Sequence, residues 1–155
     1  MTHGRRDDGE GRSVSRLRQG NGDDYPEAAG RHVDDSKALL ARRRFAGAAY
    51  LAGYVVECTL KTLIQLETGQ ARHGHDLSGL LDRLDVLAAQ ASARYGRVYL
   101  AVEPSLRSSD IVANWTPALR YRGSEPDARV ARAWHREAAD AYRRVFGTLH
   151  LAGAI

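Results

Sequence analysis

The chain has 155 residues, with 23 Lys or Arg against 19 Asp or Glu, so its formal charge is +4. At 43% hydrophobic and 27% charged it has the composition of a globular protein, which excludes fibrous and wholly disordered classes. A single cysteine, Cys58, excludes a disulfide framework and a cysteine-rich zinc site. The basic side is almost all arginine: only Lys37 and Lys61 are lysines.

Residues 1–24 carry three apolar side chains, Met1, Val14 and Leu17, and equal numbers of arginines and acids. Such a segment cannot bury enough surface to offset the entropy of ordering it. It is expected to be a flexible tail in front of one helical domain, 25–155. No apolar leader follows Met1. The longest uncharged apolar stretch, 45–56, is well short of the ~20 residues that span a bilayer. A cytoplasmic protein with no membrane partner is the expectation.

Asp24-Tyr25-Pro26-Glu27 opens a helix, with proline tolerated in the first turn and acids favourable at the positive end of the dipole. Ala29, Val33, Ser36 and Leu40 recur at helical spacing, and Arg42-Arg43-Arg44 closes the segment. A second helix is predicted over 46–66. Its first half is apolar on every side, which marks a buried central helix. Gly47, Ala49, Ala52 and Gly53 would let a neighbour approach closely. Within it Glu57 and Lys61 lie four apart in the order that favours an ion pair. Charges in a buried helix are costly unless paired, so a structural pair is expected, shared with Arg120.

Gly69 and Gly74 bracket a polar loop, and Asp76 is the predicted N-cap of a third helix whose stripe is Leu77, Leu80, Leu81, Leu84 and Leu87. Over 95–123 the pattern fits helix or short strand, interrupted by Pro104 and Pro117; a helical piece and an irregular connection through 114–117 are expected. The last helix is predicted from about 126 to 149. On it Val130, Trp134, Ala138, Ala141, Val145 and Leu149 share one face, and Arg129, Arg132, Arg136 and Arg143 gather on the other. Asp140 is spaced to pair with Arg136 and Arg144. Trp115 and Trp134 are expected as core or interface anchors. The fold class is all-α: an up-and-down four-helix bundle with an additional short helix or irregular segment before the last helix.

Chemistry is sparse in this pattern. Of the six histidines only His73 and His75 cluster, without the ligand spacing zinc requires, so no metal and no cofactor are expected. Cys58 falls in a buried helix, where a free thiol behaves as a small hydrophobe. Nucleophile-elbow, Walker and dinucleotide-binding glycine motifs are missing from the chain. The arginine stripe of the last helix is of the kind that tracks phosphates without sequence preference, or forms a solvated face.

The segment Ala48-Ala49-Tyr50-Leu51-Ala52-Gly53-Tyr54-Val55-Val56-Glu57-Cys58-Thr59-Leu60-Lys61-Thr62-Leu63-Ile64 resembles the signature helix of prokaryotic HEPN domains, an apolar helix bearing Glu with Leu-Lys three residues later. His75-Asp76-Leu77 followed by Leu80 and Leu81 resembles the family's second landmark. Arg120-Tyr121 resembles the third, which precedes the closing helix. The resemblance spans about 26–149. It implies a helical bundle, a homodimer and, in the nucleotidyltransferase-associated type, a small nucleotidyltransferase partner. Many such relatives are ribonucleases, among them toxins of toxin–antitoxin modules. Their site is Arg, four to six residues, then His, near the start of the last helix and completed across the dimer. Arg would hold the phosphate and His would move the proton of the attacking ribose 2′-hydroxyl, without metal. Other relatives lack the pair and bind nucleotides or serve as partners.

No His follows Arg120 at that distance. Arg129 and His135 enclose five residues, as do Arg144 and His150, but a chain so rich in arginine supplies such spacings by chance. The expectation is therefore a non-catalytic nucleotide- or RNA-binding protein, or the partner subunit of a nucleotidyltransferase or toxin–antitoxin-type module. The alternatives are a metal-independent ribonuclease using Arg129 and His135, and a basic helical module binding nucleic acid through Arg129, Arg132, Arg136, Arg143 and Arg120. Glu57, Lys61, His75, Asp76 and Tyr121 are the family-motif positions.

Overall fold

The structure, a computed structural model, describes residues 14–123 and 125–155. It is all-α. Four long helices, α1 (Tyr25–Ala41), α2 (Phe45–Thr68), α3 (Leu77–Ala88) and α6 (Ala128–Leu151), form the bundle, and the described residues include no strand. Two short helices, α4 (Glu103–Arg107) and α5 (Asp110–Asn114), lie between α3 and α6, flanked by 3₁₀ turns at Gly96–Ala101 and Pro117–Tyr121. The stretch whose sequence fitted helix or strand is thus a run of single helical turns, with the irregular link at 115–116 inside it. No described helix is long and apolar enough to cross a membrane.

The helix ends follow from local chemistry. Asp24 caps α1 by accepting the backbone N–H of Glu27, and Asp127 caps α6 by accepting that of Val130. Asp76 occupies the N-cap of α3 in extended conformation, but its side chain makes no capping hydrogen bond. Its carboxylate instead fills the space beside Gly79. Gly69 ends α2 in the left-handed conformation at φ +72°, where a Cβ would be strained.

Helix α2 packs against α1, α3, α6 and both 3₁₀ turns. Its burial is uninterrupted over 55–64, in the second half rather than the first. The reason is tertiary: α3 and the 69–76 loop cover that end, while Tyr50, Leu51 and Tyr54 keep an edge in solvent. The five leucines of α3 are all buried. Hydroxyls inside the buried stretch bond back along the helix, Thr59 to the Val55 carbonyl and Thr62 to the Cys58 carbonyl. Residues 14–24, assigned from sequence to the tail, run along the bundle: Ser15 bonds Asp24 through its amide and hydroxyl, and Gln65 donates to the Leu17 carbonyl. The rest of that tail lies outside the described residues.

Gly53 is the point of closest approach in the core. A Cβ there would stand 1.9 Å from Nε1 of Trp115, which itself donates to the Tyr50 carbonyl at 2.9 Å. Trp115 is thereby clamped flat on α2, and it carries the 114–121 connection with it. Gly53→Ala is expected to destabilise the protein by about 1–3 kcal/mol, because overpacking outweighs the ~1 kcal/mol helix-propensity gain of alanine. Urea unfolding measures this directly; a variant more stable than the parent would show that Trp115 does not sit against Gly53.

Candidate functional site

Glu57 and Lys61 are 3% and 4% exposed, so two charged groups sit at the heart of the bundle. Lys61 Nζ donates to Glu57 Oε1 at 2.8 Å and stands 5.3 Å from the centre of the Tyr25 ring. The third member of the group is His75, not Arg120: its Nδ1 lies 2.9 Å from Glu57 Oε2. A carboxylate can only accept, so Nδ1 carries the proton and the Nε2 edge points away from Glu57. The His75 side chain is about half exposed, at 53%. The three groups border a cleft of about 360 Å³ that also takes in Asp24, Arg31 and His73. Beside them the Cys58 thiol is pushed up to about 12 by burial and then by Glu57, so it stays protonated and is no nucleophile.

One turn earlier on α2 lies an aromatic cluster that the sequence did not single out. Tyr54 packs edge-on against Trp115, with centroids 4.9 Å apart, against Tyr50 at 5.1 Å and against His75 at 6.0 Å; His32 of α1 is at 5.6 Å. The Tyr50 and Tyr54 hydroxyls are 3.2 Å apart. Burial, and next the bond to Tyr50, hold the Tyr54 phenol above its ordinary value. His32 is held below its ordinary value, chiefly by burial and then by Arg31, and its Nδ1 is buried with no hydrogen-bond partner. Arg120 is exposed, lies within electrostatic reach of Tyr50, and stands 4.8 Å over the ring of Tyr121, itself 78% exposed. The structure therefore brings His75, Arg120 and Tyr121 to the neighbourhood of Tyr54, with Glu57 and Lys61 beneath. Only helical spacing could have linked Tyr50 to Tyr54 in advance; their contacts with His32, Trp115 and Arg120 are long-range.

The arginines of α6 lie elsewhere. Arg129, Arg132, Arg136 and Arg143 are all exposed. Arg132 covers the Phe45 ring at 5.1 Å, and Asp140 meets Arg143 and Arg144 at 3.9 and 3.7 Å, rather than Arg136. Trp115 and Trp134 are both buried, the latter donating to Asp110. His135 is half-buried in the seam between α6 and α1, its Nδ1 2.9 Å from Ser36 Oγ. Ser36 gives its own proton to the Ala48 carbonyl, so His135 is the donor in that contact. Burial, and then Lys37 and Arg143, hold His135 below its ordinary value and keep it neutral. Ser36 and His135 thus join α1, α2 and α6. No hydrogen bond joins Arg129 to His135 among the described residues. Nor do those residues include a group of three His, Cys, Asp or Glu side chains placed to hold a metal.

Removing one partner of the buried pair leaves the other charge uncompensated. Lys61→Met is expected to cost about 3–5 kcal/mol, and the double variant Glu57→Leu/Lys61→Met less than the sum of the two single changes. A double-variant cycle in urea measures the coupling. Strictly additive costs would show that the pair is not coupled.

A family model for the HEPN domain matches residues 23–131, from just before the N-cap of α1 to the first turn of α6. No curated protein and no solved structure matches the chain. The match takes in Glu57, Lys61, His75 and the Arg120-Tyr121 pair and stops short of His135. With most of its length under that match and an all-α bundle built around α2, this chain belongs to the HEPN domain family.

Proposed function

We propose that this HEPN domain is a non-catalytic RNA- or nucleotide-binding module, acting as a homodimer and as the partner of a nucleotidyltransferase or within a toxin–antitoxin-type pair. Its membership of the family gives the coarse statement, a helical module of nucleotide- and RNA-related function. The observation that carries the finer reading is the state of His135. A ribonuclease of the Arg–His kind needs both groups on one phosphate. Here His135 is tied by Nδ1 into the α1–α6 seam. Arg129 is exposed six positions earlier, roughly 120° away around the helix at about 100° per residue. The binding part of the reading is supported by the positive balance of the chain and by the exposed arginines of α6 and of the 117–121 turn. The homodimer and the nucleotidyltransferase rest on the family resemblance.

Two measurements on the purified chain test this reading. Cleavage of single-stranded RNA is expected at background level, the same for the parent and for His135→Ala. Binding of the same RNA is expected to weaken steeply between about 50 and 200 mM salt, as phosphate contacts do. Cleavage by the parent that His135→Ala abolishes would overturn the non-catalytic reading in favour of the ribonuclease. Absence of any binding would remove the RNA and nucleotide part.

A further inference from the structure

We propose that Arg42, Arg43 and Arg44, in the turn between α1 and α2, continue the arginine row of α6 and form with it one track for the phosphate backbone of an RNA strand. This rests on the RNA-binding reading above and places that binding at the end of the bundle where α1 closes and α6 begins.

The conformation of Arg43 singles out this turn. α1 closes with two hydrogen bonds, from the Arg43 N–H to the Leu40 carbonyl and from the Arg44 N–H to the Leu39 carbonyl. That pair of bonds needs a left-handed residue at the position of Arg43, where glycine is the usual occupant because it has no Cβ. α6 closes with the same pair, from Gly153 to the His150 carbonyl and from Ala154 to the Leu149 carbonyl, and there Gly153 takes the position at φ +64°. α1 has Arg43 at φ +59°, the one non-glycine residue with positive φ among the described residues. Its side chain is exposed and makes no ion pair among those residues. A disfavoured conformation that no contact in the fold explains points to a use outside it.

Topology joins the turn to α6. The two helices α1 and α6 run antiparallel: Ser36 meets His135 at 2.9 Å, while Pro26 and Gly30 border the same cavity as Phe146 and His150. The C-terminal end of α1 therefore lies beside the first turns of α6. Arg132 marks the junction, standing 5.1 Å over the ring of Phe45, the residue that follows Arg44. Stacking uses the face of a guanidinium and leaves its N–H edge free. Arg129, Arg132 and Arg136 fall within about 60° of each other around the helix and cover about 10 Å of its length. None of these six arginines makes an ion pair within 4 Å among the described residues. The acid that precedes the row, Asp127, has its carboxylate turned to the N-cap, where it accepts the Val130 N–H.

Six guanidiniums with free donors suit a polyanion, and their surroundings favour nucleic acid over an acidic protein. A protein interface is built round an apolar core. The large apolar side chains that are more than half exposed are Val14, Val86, Leu100, Tyr121 and Leu151, and none belongs to the turn or to the first half of α6. Phe45, the ring at the junction, is covered by Arg132. Phosphates in series satisfy donors spread along such a surface without an apolar anchor.

The test uses the full chain, a short fluorescent oligouridine RNA as probe, and 5′-AMP and polyglutamate as competitors. Arg43→Gly removes the side chain and relieves the turn, so its melting temperature is expected at or above that of the parent. Its RNA binding is expected to weaken about three-fold or more, and the slope of log affinity against log salt to fall by about 0.7, the value of one phosphate contact on a single strand. Arg42→Ser/Arg44→Ser is expected to weaken binding about ten-fold. Arg94→Ser/Arg97→Ser, which removes the same charge from the exposed turn after α3, is expected to stay within about two-fold of the parent. Neither AMP nor polyglutamate is expected to displace the RNA. If Arg43→Gly and Arg42→Ser/Arg44→Ser both bind within about two-fold of the parent, the track is overturned. Loss of binding in Arg129→Ser/Arg132→Ser/Arg136→Ser would then keep the RNA on α6 alone and leave the binding reading standing. Equal losses in the two double variants would also overturn the track, since net charge would then set the affinity. Displacement by polyglutamate at matched charge would reassign the surface to an acidic protein, and displacement by AMP would reassign the site to a single nucleotide; either overturns the track. If the parent binds no RNA, the track and the binding reading fall together.

Discussion

The buried pair of Glu57 and Lys61 is the constraint from which the rest of the structure follows. Each charge costs several kcal/mol to remove from water, and only close pairing with full hydrogen bonding offsets that cost. The 2.8 Å contact to Lys61 uses one oxygen of Glu57, and the other must find a donor. His75 supplies it from the loop before α3, at 2.9 Å. The loop is therefore held at α2 by the same carboxylate that the lysine neutralises, and α3 follows it with its five leucines turned inward. Tyr25, at the start of α1, closes the other side over the ammonium. Three elements thus converge on one charged point. A misplaced element would leave a charge unpaired, which is how a costly interaction comes to specify an arrangement.

The same carboxylate also sets chemistry at the surface. By fixing the protonated nitrogen of His75 it fixes which edge of the imidazole is presented outward. A second constraint acts one turn away, where Gly53 admits Trp115 to the surface of α2. Because Trp115 belongs to the 114–121 connection, its seat also brings Arg120 and Tyr121 up to Tyr50 and Tyr54. The polar–aromatic corner is therefore assembled by packing below it, from side chains as far as 71 positions apart. At the opposite seam His135 serves a different end. With Ser36 it joins three helices through two hydrogen bonds.

Much of the fold was legible because its signals are local. Asp24-Tyr25-Pro26 marks a helix start whatever follows, and five leucines at helical spacing need a wall to face. The i,i+4 pairing of Glu57 with Lys61 is of the same kind. What escaped was long-range. Nothing in spacing says that the second oxygen of Glu57 belongs to His75 rather than Arg120, since both are polar groups distant in the chain. Single helical turns such as Glu103–Arg107 and Asp110–Asn114 are too short to show a period. The uninterrupted burial of α2 lies over 55–64 because α3 and its loop cover that half, a tertiary fact. The arginine surplus worked against the reader too: with 21 arginines, a spacing of Arg to His has no weight until geometry decides it. At Tyr54 the two tyrosines were visible as neighbours on one face, but not the Trp115 ring that packs against them.

An amide-resolved NMR titration of the chain with short single-stranded RNA tests the central claim most directly, since it reads every candidate surface at once. Shifts are expected to concentrate at the exposed arginines of α6 and the Arg120-Tyr121 turn, with the α1–α6 seam at Ser36 and His135 unmoved. Shifts centred on the Ser36–His135 seam, or none at any surface, would contradict it.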